Sequence, residues 1–166
     1  MSDGTERRYP QWIALIGFLL VVAIIAGAGG LFTSAGVSGW YRQLTRPSWT
    51  PPDWLFGPAW TVLYISMAVA AWLVWRQHIP RSRWAIGVWF VQLLLNGAWS
   101  PIFFGLHSIG GGLITIVLLW LAILATVSVF WRVSRAAAIL MLPYLAWVTF
   151  ASCLKVLVTW IPLMFS

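Results

Sequence analysis

Five apolar runs, each long enough to cross a bilayer and almost free of charge, dictate what this chain can fold into. They extend from Trp12 to about Phe32, from about Trp54 to Trp75, from Trp84 to Phe104, from Ile109 to Trp131 and from Ala136 to about Trp160, the last interrupted only by Lys155. A spanning helix needs about 17–25 such residues. Composition agrees: 61% of residues are hydrophobic and 8% charged, where a soluble domain carries about a quarter charged residues. The runs lack the dyad alternation of a membrane β-barrel. The prediction is an all-α integral membrane bundle of five transmembrane helices with short loops, one domain over residues 1–166. The first run follows Arg7 and Arg8 and has small residues near Ala26 to Gly30, as a signal peptide would. Its apolar length exceeds the usual core of about 7–15 residues, so it is read as a span.

The formal net charge of +7 does not point to nucleic acid, because the cations occupy short gaps between spans. There they set topology and touch anionic lipid. With five spans, Arg7, Arg8, Arg76, Arg81, Arg83, Arg132 and Arg135 share one side, against Arg42 and Arg46 on the other. In a bacterial inner membrane the positive-inside rule then puts the N-terminus in the cytoplasm. Asp3, Glu6 and Asp53 are the only acids. Paired-carboxylate hydrolysis and two-metal chemistry both need more, and proton-coupled transport usually places acids or histidines within the helices. A lone cysteine, Cys153, provides neither a disulfide nor a thiolate cluster. It reads as a small packing residue, and His78 and His107 read as loop residues rather than axial haem ligands. No metal site is expected.

Tryptophan is the outlier, with 14 copies. Trp12, Trp75, Trp84, Trp131 and Trp160 fall near span ends, where an indole favours the headgroup level. Trp49, Trp54, Trp60, Trp99 and Trp147 instead sit beside prolines or polar residues. In the segment WTPPDWLFGPAW, Thr50 can N-cap the second helix, Pro51 suits its first position and Asp53 can act as the capping acid. Pro58 should bend that helix by leaving the Trp54 carbonyl without its donor, and Pro101 should bend the third by freeing that of Gly97. Gln92, Asn96, Trp99 and Phe103 share one face of the third helix, and Tyr144, Trp147, Ala151 and Leu154 share one face of the fifth. Amides within a span must face other helices or a cavity. Two readings remain open on the residues: hydrogen-bonded helix packing, or a pocket lined by indoles, a phenol and amides.

WYRQLTRPSWTPPDWLFGPAWTVLY, QLLLNGAWSPIFFG and LPYLAWVTFA, in that order, resemble the TspO/MBR family of tryptophan-rich sensory proteins and mitochondrial translocator proteins. The resemblance implies a five-helix membrane fold, frequently a homodimer, that binds porphyrins and, in mitochondrial members, sterols and synthetic ligands. It implies a membrane receptor or sensor for tetrapyrroles such as protoporphyrin IX, regulating their handling, with no cofactor required. Light- and oxygen-dependent porphyrin breakdown, reported for some bacterial members, and transport of porphyrin-like solutes are the alternatives.

Carried over by position, Trp54 and Trp147 resemble the pair implicated in porphyrin binding and degradation, and are the catalytic residues if degradation occurs. Asn96 and Trp99 match third-helix pocket residues, Trp60 and Tyr64 second-helix ones, and Ala151 a fifth-helix position that tunes affinity; Phe103 and Tyr144 complete the expected ligand-binding set. A flat tetrapyrrole would stack on indoles, so a free-base porphyrin fits better than a coordinated haem. Its propionates would favour Arg42, Arg46 or the second helix's N-terminus, with Lys155 a further carboxylate candidate. Lys155 stands where the family has asparagine, and a snorkelling side chain is the plainer account of it. The tyrosine of the proposed cholesterol motif is absent, with Val156 near its place, so sterol recognition is not carried over.

Overall fold

The computed structural model describes residues 10–37 and 53–164; the side chains of 35–37, 53, 56, 109 and 154–164 are left aside. Five long helices account for nearly all of this: α1 (Gln11–Val37), α2 (Asp53–Trp75), α3 (Pro80–Ser100), α4 (Ile109–Trp131) and α5 (Arg135–Met164). All five are long and apolar enough to span a membrane. The predicted runs are recovered, with α1 and α5 longer than predicted. The Thr50–Asp53 cap, Arg42, Arg46 and the Leu154, Lys155 and Trp160 side chains lie outside the described residues.

The helices form a ring in which α1 packs on α2, α2 on α5, α5 on α4, α4 on α3 and α3 back on α1, with α2 also touching α3. Glycine allows the α1–α3 closure: a Cβ on Gly97 would meet Ile25 at 3.1 Å, and one on Gly29 would meet Ser100 at 3.5 Å. Such small residues let spanning helices approach closely. The first run forms a wall of the bundle, and Val22 belongs to its core.

The centre holds Met67, Ala71, Trp89, Leu93, Ile123, Phe130, Met141 and Tyr144. The outside is apolar too, with Leu20, Ile24, Val62, Leu94, Ile114, Leu121 and Ile139 exposed. That pattern suits a bundle whose solvent is hydrocarbon. Trp12, Trp84 and Trp131 are exposed at helix ends, at the interfacial level.

The prolines act differently from one another. Pro58 lies inside an uninterrupted α2, where the Thr61 hydroxyl donates to the Gly57 carbonyl at 2.9 Å. Pro101 instead opens a π-helical turn, Pro101–Gly105, closed by the Leu106 N–H donating to the Pro101 carbonyl at 3.0 Å. His78 and His107 both have positive φ, 50° and 51°. They end the second and third spans in the left-handed conformation that histidine adopts more readily than most residues. They stand at opposite ends of α3 and do not converge. Cys153, expected to pack between helices, is exposed, because its position on α5 turns outward.

Candidate functional site

The amide predicted to need a partner has two. Asn96 is buried on α3; its Oδ1 accepts from the Tyr64 hydroxyl of α2 at 2.6 Å, and its Nδ2 donates to Tyr144 Oη of α5 at 2.8 Å. One side chain thus ties three helices together at a depth where lipid offers no alternative partner. Trp60 lies one turn before Tyr64, with ring centroids 5.5 Å apart, and meets Tyr144 edge-on at 6.2 Å. A second aromatic group sits at the C-terminal end of α3. There Trp99 stacks on Phe103 at 5.3 Å, and Phe104 meets both rings edge-on. The stack straddles the junction of α3 and the π turn, with the two residues four apart and so on one helical face.

An apolar groove of about 720 Å³ lies between α2 and α5, lined by Pro58, Ala59, Val62 and Leu63 on one side and Pro143, Ala146, Trp147 and Phe150 on the other. Each set occupies one helical face, and each begins at a proline. Val62, Pro143 and Ala146 are exposed, so the groove opens on the surface that meets lipid. Leu63 and Pro143 are the chain neighbours of Tyr64 and Tyr144, which places the tyrosine–amide cluster directly behind the groove wall.

The structure therefore distributes the predicted residues. Trp60, Tyr64, Asn96 and Tyr144 converge in the interior. Trp99 and Phe103 form the neighbouring stack, and Ala151 is half-buried against the core. Trp147 stands on the groove wall, while Trp54 is 72% exposed, one turn beyond Pro58 on the same face of α2. Sequence reading missed Ala59, Val62, Leu63, Ala146 and Phe150, since an apolar groove residue and a lipid-facing residue look alike. Of the lining residues, Trp147 was expected at a site and Pro58 was expected only to bend α2.

Among the described residues, no carboxylate, histidine, lysine or arginine lines the groove or the tyrosine–amide cluster. Their chemistry is stacking, apolar burial and neutral hydrogen bonding.

Comparison with known proteins gives one consistent result. The sequence profile of the TspO/MBR family matches residues 17–161. The chain is 45% identical over 142 residues to the tryptophan-rich protein TspO of Chlorobaculum tepidum, covering 84% of this chain and 88% of that protein. It is 41% identical over 145 residues to protein CrtK of Rhodobacter capsulatus, covering 86% and 89%. It is 37% identical over 149 residues to the human translocator protein, covering 88% of each.

Proposed function

Since the chain belongs to the TspO/MBR family of membrane proteins, we propose that it is an intramembrane receptor for tetrapyrroles of the protoporphyrin IX type, regulating their handling in the membrane. The observation that carries this reading is the α2–α5 groove. It is broad and open on its lipid side, about 720 Å³, so it suits one face of a flat ring system and leaves the other to the bilayer. Its lining suits a broad apolar ring system, and the Trp147 indole supplies a stacking surface. Trp54, one turn beyond Pro58, would extend that surface for a ligand longer than the groove. The hydrogen-bonded tyrosine–amide cluster holds α2, α3 and α5 in register behind it.

The test is a titration with protoporphyrin IX in detergent and in lipid, followed by tryptophan fluorescence and porphyrin absorbance. Saturable quenching is expected, weakened in Trp147→Phe and less so in Trp54→Phe. Quenching of equal strength in both variants and the parent protein would remove the groove assignment.

A second reading is favoured by the position of Trp147. An oxidisable indole on the groove wall would pass an electron to a photoexcited porphyrin, which hands it on to oxygen. The tryptophan radical cation is then reduced by the porphyrin, so the net electron flow runs from porphyrin to oxygen and the indole is restored. Porphyrin absorbance would then fall over many turnovers under light and oxygen, and Trp147→Phe would slow it. Loss of one equivalent with damage to the protein would mark photochemistry on a receptor, not turnover.

A further inference from the structure

The tyrosine–amide cluster belongs to a longer polar stripe. Ser82, Trp89, Gln92, Asn96 and Ser100 are all buried on α3, at spacings that keep them on one helical face. At about 1.5 Å per residue the stripe is about 27 Å long, close to the ~30 Å thickness of the hydrocarbon core. Its C-terminal half is satisfied within the protein. Asn96 binds both tyrosines, and the hydroxyls of Ser100 and Thr33 lie 3.3 Å apart. Because the Thr33 proton is on the Gly29 carbonyl, Ser100 is the donor of that pair.

The N-terminal half is different. Ser82 Oγ, Trp89 Nε1 and Gln92 Oε1 have no hydrogen-bond partner within the protein, and the last two belong to residues that are 0% exposed and one helical turn apart. The Gln92 amide N–H faces Met67 Sδ at 3.8 Å, a weak acceptor. Turning the amide over would set its carbonyl against the sulfur and leave two N–H groups without an acceptor. Ala68, Ala70 and Ala71 of α2 are buried next to Met67 in sequence and bring only methyl groups. The Trp89 ring meets Phe18 of α1 edge-on at 5.6 Å. A buried polar group left this way costs about 1–3 kcal/mol, and native structures usually meet the need with a bound water.

We propose that α3 binds a buried water between Trp89 and Gln92, which accepts from the indole N–H and donates to the amide carbonyl. A donor at one position and an acceptor three residues on lie one helical turn apart and call for a neutral molecule that both accepts and donates. An anion would be repelled by the carbonyl and a cation by the N–H. Both side chains are 0% exposed, and water is the smallest molecule that both accepts and donates. This site lies in the half of α3 away from the Trp99–Phe103 stack and is independent of the tetrapyrrole reading. It extends the hydrogen-bonded interior from Ser100 to Trp89.

The test uses the full chain in micelles or nanodiscs with ¹⁵N-indole-labelled tryptophan. The Trp89 signal is identified by its loss in Trp89→Phe or by its shift in Phe18→Leu, which removes the adjoining ring. A direct exchange-independent cross-peak from the Trp89 indole proton to water is expected, lost in Gln92→Leu together with an upfield move of that proton. Gln92→Met gives the same readout should the leucine variant fail to fold. Absence of the cross-peak in the parent protein, or its persistence in a folded Gln92 variant, overturns the proposal. Stability supplies an independent sign. A hydrated Gln92 makes Gln92→Leu lower the folding equilibrium constant roughly fivefold, whereas removal of a dry, unpaired carbonyl would leave it unchanged or raise it.

Discussion

Asn96 holds two tyrosine hydroxyls from two other helices, so its loss is felt on both. Asn96→Leu leaves Tyr64 and Tyr144 hydroxyls without the bonds they make at 2.6 and 2.8 Å. At about 1 kcal/mol or more for each unsatisfied buried group, a loss of about 2–3 kcal/mol is expected. Tyr64→Phe removes one donor and should cost about 1 kcal/mol, within the range of about 0.6–2 kcal/mol for hydrogen bonds between spanning helices. Because the groups share one amide, the double variant should cost less than the sum of the two single losses. Reversible unfolding in mixed micelles measures all three, and strict additivity would mean the cluster is not one unit. At this scale the sequence was informative about need and silent about supply. An amide within a span declares that it requires a partner. That the partners are Tyr64 and Tyr144 depends on how α2 and α5 meet α3; family resemblance had placed Tyr64 near the site, and helical spacing Tyr144, without stating the bonds.

At the scale of elements, glycine and proline decide how α3 and α4 meet. The two proline bends were expected alike, yet Pro58 sits within a continuous α2 while Pro101 produces a π turn. Both lack the N–H of an ordinary helical residue; what differs is the surroundings. Pro58 faces an open groove, whereas Pro101 starts a segment packed on α1 and α4. The latter packing gives a sharp expectation. A Cβ on Gly112 would stand 2.7 Å from Phe103 Cδ2, while one on Gly110, two residues earlier, meets nothing within 4 Å. Phe103 is buried and stacked on Trp99, so it has little freedom to yield. Gly112→Ala should destabilise by about 1–3 kcal/mol through overpacking, while Gly110→Ala should be neutral or stabilise by a few tenths to about 1 kcal/mol. Thermal unfolding of the pair against the parent reads this directly. Equal effects would show that Phe103 moves freely. Of the three consecutive glycines, Gly111 and Gly112 both face crowded neighbours, Ile102 at 3.0 Å and Phe103 at 2.7 Å, and only Gly110 stands in open space. That difference is set by helix packing and is not visible in the run itself.

The whole molecule meets its surroundings with an apolar girdle and a basic end. The turn after α2 and the first turn of α3 carry Arg76, Arg81 and Arg83, exposed like Arg132 and Arg135 between α4 and α5, and helix alternation puts both loops on one side. In a bacterial inner membrane, Gln77→Cys in a Cys153→Ala background should be labelled from the cytoplasmic side, and Leu106→Cys from the opposite side. The reverse pattern would overturn the proposed orientation. This much follows from where charges interrupt apolar runs, which is why the five-span fold was legible before any coordinates. The groove was not, because its residues are as apolar as the rest of the girdle and only helix packing makes them concave. Its position has a consequence for access. On the proposed reading, a ligand would reach this lipid-facing groove from the bilayer, without passage through either aqueous side. Ala146 lines it and is exposed, so Ala146→Trp can fill part of the groove without disturbing the core. Stability should change by less than about 0.5 kcal/mol, and protoporphyrin IX affinity should fall at least about tenfold, equivalent to about 1.4 kcal/mol. Ile114→Trp, on the exposed face of α4, adds the same bulk away from the groove and should leave affinity unchanged. If both variants bind as the parent does, the ligand does not use the α2–α5 groove. If both weaken equally, the effect belongs to the membrane-facing surface at large rather than to a site between Pro58 and Pro143.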